Sequence, residues 1–168
     1  MITITEASIV DIKTIQNIAH ETWPLTYGAI LSKEQLDYML DVFYSETRLS
    51  NQIQNKEELY FIAYEGTKAV AFMGIEHNYK NQAVTQIHKI YISAETQAKG
   101  IGRTLIDYAE KLAKENNSTA LSLNVNRFNK ALHFYYKVGF KIIAEENKDI
   151  GNGFLMEDYV MEKPIPYK

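Results

Sequence analysis

The most informative segment of the chain is Gln97-Ala98-Lys99-Gly100-Ile101-Gly102, between a predicted strand at 84–92 and a predicted helix at 100–116. Glycines at this spacing let the backbone pass close to a ligand, because they carry no Cβ. The helix that begins here directs unpaired N–H groups and its positive dipole end at the loop, which suits a phosphate or pyrophosphate. Lys99 and Arg103 add positive charge at the rim. Taken locally, the glycines are also compatible with a tight turn that binds nothing.

Dinucleotide-binding folds contain glycines in a similar turn, so a nucleotide-binding oxidoreductase is an alternative. Such folds require a third glycine and an acidic residue about 20 positions further on. This chain has Leu105 where the third glycine is required, and Ser122-Leu123-Asn124 near the place of the acidic residue. Both requirements are unmet, and calorimetry with NAD tests this alternative.

Hydrophobic periodicity predicts the other elements of the chain. Before the loop we expect a strand at Ile2–Thr5, a helix from Asp11 that ends at Trp23-Pro24, a helix capped by Ser32, a polar helical stretch at Ser45–Gln54, and hairpin strands at Leu59–Tyr64 and Ala69–Ile75. After it we expect a strand at Thr119–Val125, a helix at Asn129–Lys137, and strands at Lys141–Glu145 and Phe154–Met161. Hairpins combined with strand–helix–strand crossovers predict an α/β (α+β) fold whose mixed sheet has helices on both faces.

Composition excludes several classes of protein. The absence of cysteine among 168 residues excludes a disulfide scaffold, a thiolate zinc site and a cysteine nucleophile. With 18 basic and 21 acidic residues, nucleic acid is an unexpected partner. No charged leader precedes an apolar segment and no long apolar run occurs, so we expect a cytoplasmic protein without a membrane anchor. We also expect one domain spanning residues 1–168, because no linker or repeat divides the chain.

Four motifs lie in a fixed order: Ile90-Tyr91-Ile92, Gln97-x-x-Gly100-x-Gly102, Asn124-Val125-Asn126 and Phe134-Tyr135-x-x-x-Gly139-Phe140. In this order and spacing they resemble the GNAT superfamily of acetyl-CoA-dependent N-acetyltransferases. The resemblance is dense over residues 84–140, and it extends more loosely through a closing hairpin to Met161. It implies a mostly antiparallel sheet of about seven strands that splays in the middle.

The resemblance implies acetyl-CoA as cosubstrate, and no metal. The loop and helix start would hold the CoA pyrophosphate through backbone N–H groups; they comprise Gln97, Ala98, Lys99, Gly100, Ile101, Gly102 and Arg103. The strand edge at Ile90, Tyr91 and Ile92 would pair with the pantetheine amides. Asn124, Val125 and Asn129 would line the opposite side of the pantetheine.

Tyr135 takes the place of the general acid of the resembled family. A phenol with a pKa of about 10 is protonated at working pH and can supply the proton that a departing thiolate needs. The family's asparagine usually precedes this tyrosine by seven residues, whereas Asn129 precedes Tyr135 by six and Tyr136 by seven. Tyr136 therefore remains an alternative, and either ring is compatible with simple packing.

The general base is less well defined. Many relatives carry a glutamate on the central strand, but this chain has the neutral Gln86 there, with His88 and Glu76 as the nearest titratable residues. A histidine has an ordinary pKa of about 6.5, which suits a base near neutral pH. His88 is thus a candidate catalytic residue, and a hydrogen-bonded structural histidine is equally compatible with the sequence.

Aromatic and acidic residues in the N-terminal part suggest the acceptor. Trp23, Tyr27 and Tyr38 would bind substrate, and the same part of the chain carries four acidic residues: Glu34, Asp37, Asp41 and Glu46. Such a pocket would suit a cationic amine through charge pairing and cation–π contact. Together with the element order it resembles the spermidine/spermine N-acetyltransferases of the superfamily. Peptide amines and small amine drugs are alternative acceptors, and the aromatic residues are also compatible with the core.

We therefore expect direct transfer of an acetyl group from acetyl-CoA to a primary amine within a ternary complex. The missing cysteines exclude a cysteine acetyl-enzyme. The alternative from another class is a catalytically silent, CoA-binding regulatory or interaction module. Both a monomer and a homodimer are compatible with the sequence.

Overall fold

The computed structural model describes residues 1–167, and for Ala98 it describes the backbone alone. In this part of the chain the strands and α-helices follow in the order β1 (Ile2–Glu6), α1 (Ile12–Tyr27), α2 (Lys33–Phe43), α3 (Glu46–Gln54), β2 (Leu59–Glu65), β3 (Lys68–Glu76), β4 (Val84–Ile92), α4 (Ile101–Glu115), β5 (Ala120–Asn126), α5 (Ala131–Lys137), β6 (Lys141–Gly151) and β7 (Phe154–Pro164). Each predicted strand and helix is present, so the predicted element order is confirmed.

The strands form one mixed sheet in the order β1-β2-β3-β4-β5-β7-β6. The β1–β2, β2–β3, β5–β7 and β6–β7 pairs are antiparallel, and β4 runs parallel to β5. The parallel register covers Val84–Ile87 on β4 and Ala120–Leu123 on β5. A seven-stranded, mostly antiparallel sheet is therefore confirmed, and the short parallel register is expected of a sheet that opens in its middle.

The chain divides into two compact units, which we describe separately. Unit one comprises Met1–Glu76 and Lys89–Ile106, and unit two comprises His77–His88 and the chain from Asp107 onward. Unit one buries apolar side chains of its helices and hairpin, including Ile15, Leu49, Ile62 and Phe72. Unit two buries Leu121, Phe140 and Met161 in the same way. The expectation of a single domain stays a prediction.

Helix α1 continues through Pro24 to Tyr27, so the predicted end at Trp23-Pro24 is wrong. Proline lacks an N–H and crowds the carbonyl one turn earlier, which usually ends or bends a helix. Here Trp23 and Tyr27 are both buried, and the Tyr27 hydroxyl lies 2.9 Å from the Tyr91 hydroxyl. Packing of these rings keeps the last turn helical. The Gly28 N–H then donates to the Pro24 carbonyl at 2.9 Å.

Strand β6 runs to Gly151, so the predicted end at Glu145 is also wrong. Its second half is polar and mostly exposed, and it therefore lacks the alternation of apolar residues by which a strand is recognised. Pairing with β7 supplies its partners instead. Asn152 and Gly153 close the hairpin with φ angles of 55° and 80°.

Side-chain caps begin two of the helices, of which the cap at Ser32 was predicted. Ser32 Oγ accepts a hydrogen bond from the Gln35 N–H at 3.1 Å, and Ser45 Oγ accepts one from the Arg48 N–H at 3.1 Å. Asn117 adopts a left-handed φ of 60° just after α4, a conformation that asparagine tolerates at the end of a helix. None of the helices within residues 1–167 has the length and apolarity needed to cross a bilayer.

Candidate active site

The candidate phosphate loop of unit one joins β4 to α4. A 3₁₀ turn at Ala94–Lys99 leads to Gly100, whose φ is 77°. A Cβ built on Gly100 would meet no atom within 4 Å, so the left-handed conformation, and not lack of space, requires glycine. Gln97 Nε2 donates to the Ile92 carbonyl at 3.1 Å, which ties the loop to the end of β4.

Helix α4 begins directly after Gly100 and has a firm anchor in the fully buried Ile101. The Thr104 N–H donates to the Gly100 carbonyl at 3.1 Å, which closes the first turn. The N–H groups of that turn have no partner inside a helix, and they face the loop. Gly102 is buried in the same turn, whereas Arg103 is exposed. This end of the helix is therefore arranged to receive an anion.

Cationic side chains accompany the loop. Lys99 Nζ lies 3.3 Å from a Glu65 carboxylate oxygen, and both side chains are substantially exposed. An exposed ion pair of this kind contributes about 0–1 kcal/mol, so Lys99 can exchange Glu65 for a phosphate at small cost. The glycine, the helix terminus and two cations fit a CoA pyrophosphate. The side chain of Ala98 lies outside the described part.

The strand residues predicted to pair with pantetheine, Ile90, Tyr91 and Ile92, are all half-buried at the end of β4. The Tyr91 ring is directed into an aromatic cluster, with ring centroids 5.5 Å from Trp23 and 5.7 Å from Phe72. The side chain of Tyr91 is thus a packing element of unit one. Any pairing with a ligand falls to the backbone of this strand.

The three aromatic residues predicted to bind substrate differ in exposure. Trp23 is 3% exposed and Tyr27 is 6% exposed. Trp23 Nε1 donates to the Tyr44 hydroxyl at 3.2 Å, within the same cluster. Tyr38 on α2 is half-buried and thus more accessible. The structure brings Trp23 and Tyr27 together in the core of unit one, so they have little surface to offer an acceptor; their substrate role stays a prediction.

A buried ion pair lies in unit one that the sequence analysis missed. Lys89 Nζ is 2.8 Å from Glu58 Oε2, and the two side chains are 12% and 6% exposed. The ammonium group also lies 5.3 Å from the Tyr60 ring centre. A Cβ on Gly74 would come within 2.1 Å of the Glu58 carboxylate, so this glycine makes room for it. The sequence signal that could have indicated this pair is the position of Lys89 among the apolar residues of β4.

Two buried phenols adjoin this pair. Burial raises the pKa of Tyr60 far above that of a free phenol, and the negative charge of Glu58 raises it further. Burial likewise raises the pKa of Tyr44. The Tyr60 hydroxyl donates to Gln52 Oε1 at 2.7 Å. Both phenols therefore stay protonated at any physiological pH.

In unit two, Tyr135 is buried on α5 and Tyr136 is exposed, with 8% and 47% of their surfaces accessible. The Tyr135 ring lies 5.4 Å from that of Phe134 and 5.8 Å from that of Phe140. The Phe140 N–H donates to the Tyr135 carbonyl at 2.9 Å, and Gly139 has a φ of 109°. The Gly139-Phe140 pair thus ends the helix and fixes the position of Tyr135.

Asn129 and His88 have local partners in unit two. Asn129 Oδ1 accepts a hydrogen bond from the Ala131 N–H at 2.9 Å and so begins α5. The His88 ring is half-buried and makes an edge contact with Tyr79 at a centroid distance of 5.3 Å. For both residues, a role toward ligands stays a prediction.

A polar chain crosses the sheet of unit two, and sequence reasoning identified only one member, Asn124, as a site residue. Ser122 Oγ donates to Gln86 Oε1, and Gln86 Nε2 donates to Asn124 Oδ1 at 3.2 Å. Asn124 Nδ2 in turn donates to Glu146 Oε2 at 2.8 Å and also hydrogen-bonds Asp158. In every hydrogen bond of this chain, the acceptor lies on the side nearer the carboxylates of Glu146 and Asp158. The side chain of Asn124 is thus committed to this chain.

Asp158 on β7 differs from an ordinary surface carboxylate in its burial, its hydrogen bonds and its pKa. It is 6% exposed, and among residues 1–167 its Oδ1 finds no hydrogen-bond partner. Burial raises its pKa to about 6, although the hydrogen bond from Asn124 and the charges of Lys148 and Arg127 lower the pKa in part. Within the described residues, no group of three or more His, Cys, Asp or Glu is arranged to hold a metal ion.

The predicted site residues therefore fall into two sets. Unit one holds the loop, the end of β4 and the aromatic residues, and unit two holds His88, Asn124, Asn129 and Tyr135. In unit one the structure joins Gln97 to Ile92, and Trp23 and Tyr27 to Tyr91. In unit two it joins Asn124 to a carboxylate pair.

Comparison with known proteins gives consistent matches along the whole chain. Residues 29–163 match the family described as "Acetyltransferase (GNAT) domain". The chain is 33% identical over 161 residues to a spermidine N(1)-acetyltransferase of Thermoplasma acidophilum, which covers 93% of this chain and 96% of the relative.

Solved structures give the same result. The PaiA N-acetyltransferase of Thermoplasma acidophilum, in complex with coenzyme A, has a TM-score of 0.82 at 30% identity, with 98% of this chain and 99% of that chain covered. The ribosomal-protein-S18-alanine N-acetyltransferase of Escherichia coli has a TM-score of 0.71 at 20% identity, with 100% and 96% covered. The latter likeness extends to the fold alone.

Proposed function

Because the chain belongs to the GNAT family of acetyltransferases, we propose that it transfers the acetyl group of acetyl-CoA to a primary amine of a small, polycationic acceptor of the polyamine type. The observation that carries this proposal is the 33% identity to a spermidine N(1)-acetyltransferase, over nearly the full length of both chains. The net charge of -3 is compatible with a cationic acceptor.

Acetyl-CoA supplies the acetyl group as a thioester, and its transfer to an amine releases CoA as a thiol. The chain's contribution begins with binding. Lys99, Arg103 and the N–H groups from Gly100 onward would hold the pyrophosphate, supported by the left-handed Gly100 and the start of α4 directly after it. The backbone at Ile90–Ile92 would align the pantetheine arm, and Asn129 would contact it.

Tyr135 is the proposed general acid. Its hydroxyl donates a proton to the departing sulfur, so that a thiol and not a thiolate leaves. Burial of Tyr135, and the helix end that fixes it, support this choice over the exposed Tyr136. His88 is the proposed acceptor of the amine proton, and its half-buried position on β4 is compatible with that role. Backbone N–H dipoles stabilise the developing oxyanion.

The experiment that tests the function is a thiol-release screen with acetyl-CoA and chemically diverse amines. The panel contains spermidine, spermine and shorter diamines, peptides with free N-termini, and small amine drugs. We expect CoA thiol release with polyamines, at a kcat/KM at least about tenfold above that for peptides or drugs, which corresponds to about 1.4 kcal/mol of transition-state preference.

Two results would contradict the proposal in different ways. A preference for peptides or drugs would retain the enzyme and overturn the polyamine acceptor. Calorimetric binding of acetyl-CoA without thiol release from any amine would instead favour the silent CoA-binding module. Acetylation of polyamines is verified by the mass of the product, which excludes simple hydrolysis of the thioester.

A further inference from the structure

The carboxylate pair Asp158 and Glu146 has no part in the function proposed so far. The two residues lie directly opposite each other on β7 and β6. Side chains of opposed residues in an antiparallel pair are about 4.5–5.5 Å apart at Cβ, which is close enough for both carboxylates to contact one ligand. Like charges so placed repel each other, so an arrangement of this kind is stable only with a compensating partner.

The available donors and cations provide that compensation only in part. The side chain of Asn124 is neutral, and it serves both carboxylates. Arg127 directs its guanidinium elsewhere: Nη2 donates to Asn147 Oδ1 at 2.5 Å, Nε lies 3.3 Å from Glu145 Oε1, and the Asp158 backbone carbonyl, not its carboxylate, accepts from Nε at 3.4 Å. Lys148 is exposed on β6. Among the described residues, Asp158 Oδ1 is left without a donor.

A buried carboxylate oxygen without a donor is costly, and such a group calls for a partner from outside the chain. The polar chain from Ser122 through Gln86 and Asn124 donates toward this point, so it stabilises the negative charge but supplies no cation. Glu146 and Asn124 are half-buried and form the accessible rim of the cluster. A protonated amine has the positive charge and the several N–H donors that are missing here.

We propose that Asp158 and Glu146 bind an ammonium group of the acceptor, with Asp158 Oδ1 accepting one of its N–H bonds. This inference rests on the proposed function, because it names the residues that select a cationic acceptor. It also assigns a role to Gln86 and Asn124 as positioning residues, since they orient the carboxylates through hydrogen bonds and do not contact the acceptor.

We expect acceptor binding at this site to depend on pH. Burial is the main cause that raises the pKa of Asp158 to about 6; the charge of Glu146 raises the pKa too, while Asn124, Lys148 and Arg127 lower it. Only the ionised carboxylate attracts an ammonium group. Polyamine binding should therefore weaken as the pH falls through about 6, whereas the acceptor itself remains protonated over this range.

The test compares Asp158→Asn with Glu157→Gln. Asn keeps the shape of the side chain and removes its charge, and thermal unfolding verifies that the variant folds. Glu157 is the neighbouring residue on β7, is exposed, and has its side chain on the opposite face of the strand, so it is the matched control. The readouts are KM and kcat for spermidine and KM for acetyl-CoA, each measured from pH 5 to 8.

We expect Asp158→Asn to raise the spermidine KM about ten- to one-hundred-fold at pH 7.5, as for the loss of a charged hydrogen bond, with KM for acetyl-CoA unchanged. The variant should also lose the increase of KM below pH 6. Glu146→Gln should act in the same direction but less strongly, and Glu157→Gln should stay within about twofold of the unsubstituted enzyme.

A spermidine KM that stays within twofold in Asp158→Asn overturns the inference. So does a fall in kcat at unchanged KM, which would make Asp158 a proton acceptor or a structural group. Failure of the proposed function looks different, because the unsubstituted protein would then release no thiol from any amine. In that event calorimetry with spermidine decides the inference: binding that Asp158→Asn abolishes supports it, and equal binding or none overturns it.

Discussion

Tyr135 is the residue on which the proposed proton transfer depends. Replacing it by Phe removes the hydroxyl and keeps the ring that packs against Phe134 and Phe140. General acid catalysis contributes about 10²–10⁴-fold, so we expect kcat for the best amine to fall by about a hundredfold or more. The affinity for acetyl-CoA should hardly change, because the lost group acts on the departing sulfur. Steady-state kinetics and calorimetry measure the two effects.

Tyr136→Phe is the matched control for that prediction. Tyr136 is the next residue of α5 and is exposed. The kcat of Tyr136→Phe should therefore stay within about twofold of that of the unsubstituted enzyme. The opposite ranking, with the larger loss in Tyr136→Phe, would assign the general acid to Tyr136. That outcome would agree with the spacing of seven residues from Asn129 and would contradict the choice based on burial.

Single residues also mark the limit of what sequence can predict. Tyr135 is predicted as the general acid from the resemblance to the GNAT superfamily, since it precedes the Gly139-Phe140 pair at the spacing of the family's tyrosine. Asp158 was missed, because its importance comes from burial and from the absence of a donor on Oδ1 among the described residues. Both properties depend on strands β5 and β6, which lie beside β7 in the sheet but not in the same stretch of sequence.

At the scale of the element, the turn into α4 is the feature that positions the phosphate-binding groups. Gly100→Ala places a side chain at a φ of 77°, which costs about 1–2 kcal/mol for a residue with a Cβ. A shift of this turn away from the left-handed region would reorient the N–H groups of the first turn of α4. We expect the Kd for CoA, measured by calorimetry, to rise about tenfold, as for the loss of one or two hydrogen bonds.

Gly153→Ala separates backbone strain from binding. Gly153 has a φ of 80° in the β6–β7 turn, and a Cβ there would also meet no atom within 4 Å. Both variants should therefore lose similar thermal stability. Only Gly100→Ala should weaken the binding of CoA. Equal affinities for CoA in the two variants would contradict the assigned role of the loop.

Elements were predictable where a local rule applied. The capped helix α2 and the β2–β3 hairpin follow from Ser32 and a turn between apolar runs. Two element ends were wrong for a physical reason. Rings from another part of the chain hold α1 helical beyond Pro24, and the polar second half of β6 depends on its partner β7.

For the whole molecule, the relevant quantity is the free energy of unfolding. Among single substitutions in unit one, we expect a change that breaks the buried pair of Lys89 and Glu58 to lower it most. Lys89→Met leaves the Glu58 carboxylate buried without its 2.8 Å partner. Breaking a buried pair in this way costs about 3–5 kcal/mol, because an uncompensated charge remains. Chemical denaturation should show this loss, and the double variant with Glu58→Gln should recover most of it.

Lys68→Met is the control for the buried pair. Lys68 forms an ion pair with Glu95, and the two side chains are 61% and 60% exposed. Its loss should leave the midpoint of chemical denaturation almost unchanged, since solvent screens such pairs. Comparable losses in the two lysine variants, or no recovery in the double variant, would show that burial does not set the strength of the Lys89–Glu58 pair.

The order of strands and helices, the glycine loop before α4 and the family motifs can all be predicted from the amino-acid sequence. These features depend on neighbouring residues: the positive φ of Gly100 just before the first turn of α4, and the close spacing of Tyr135 and Gly139 at the end of α5. Which charged groups are buried, and what they contact, follows from the folded chain. Lys89 meets Glu58 from 31 residues away, and Gln86 reaches Asn124 across 38 residues. Burial and long-range pairing are properties of the packed chain, so no local pattern carries them.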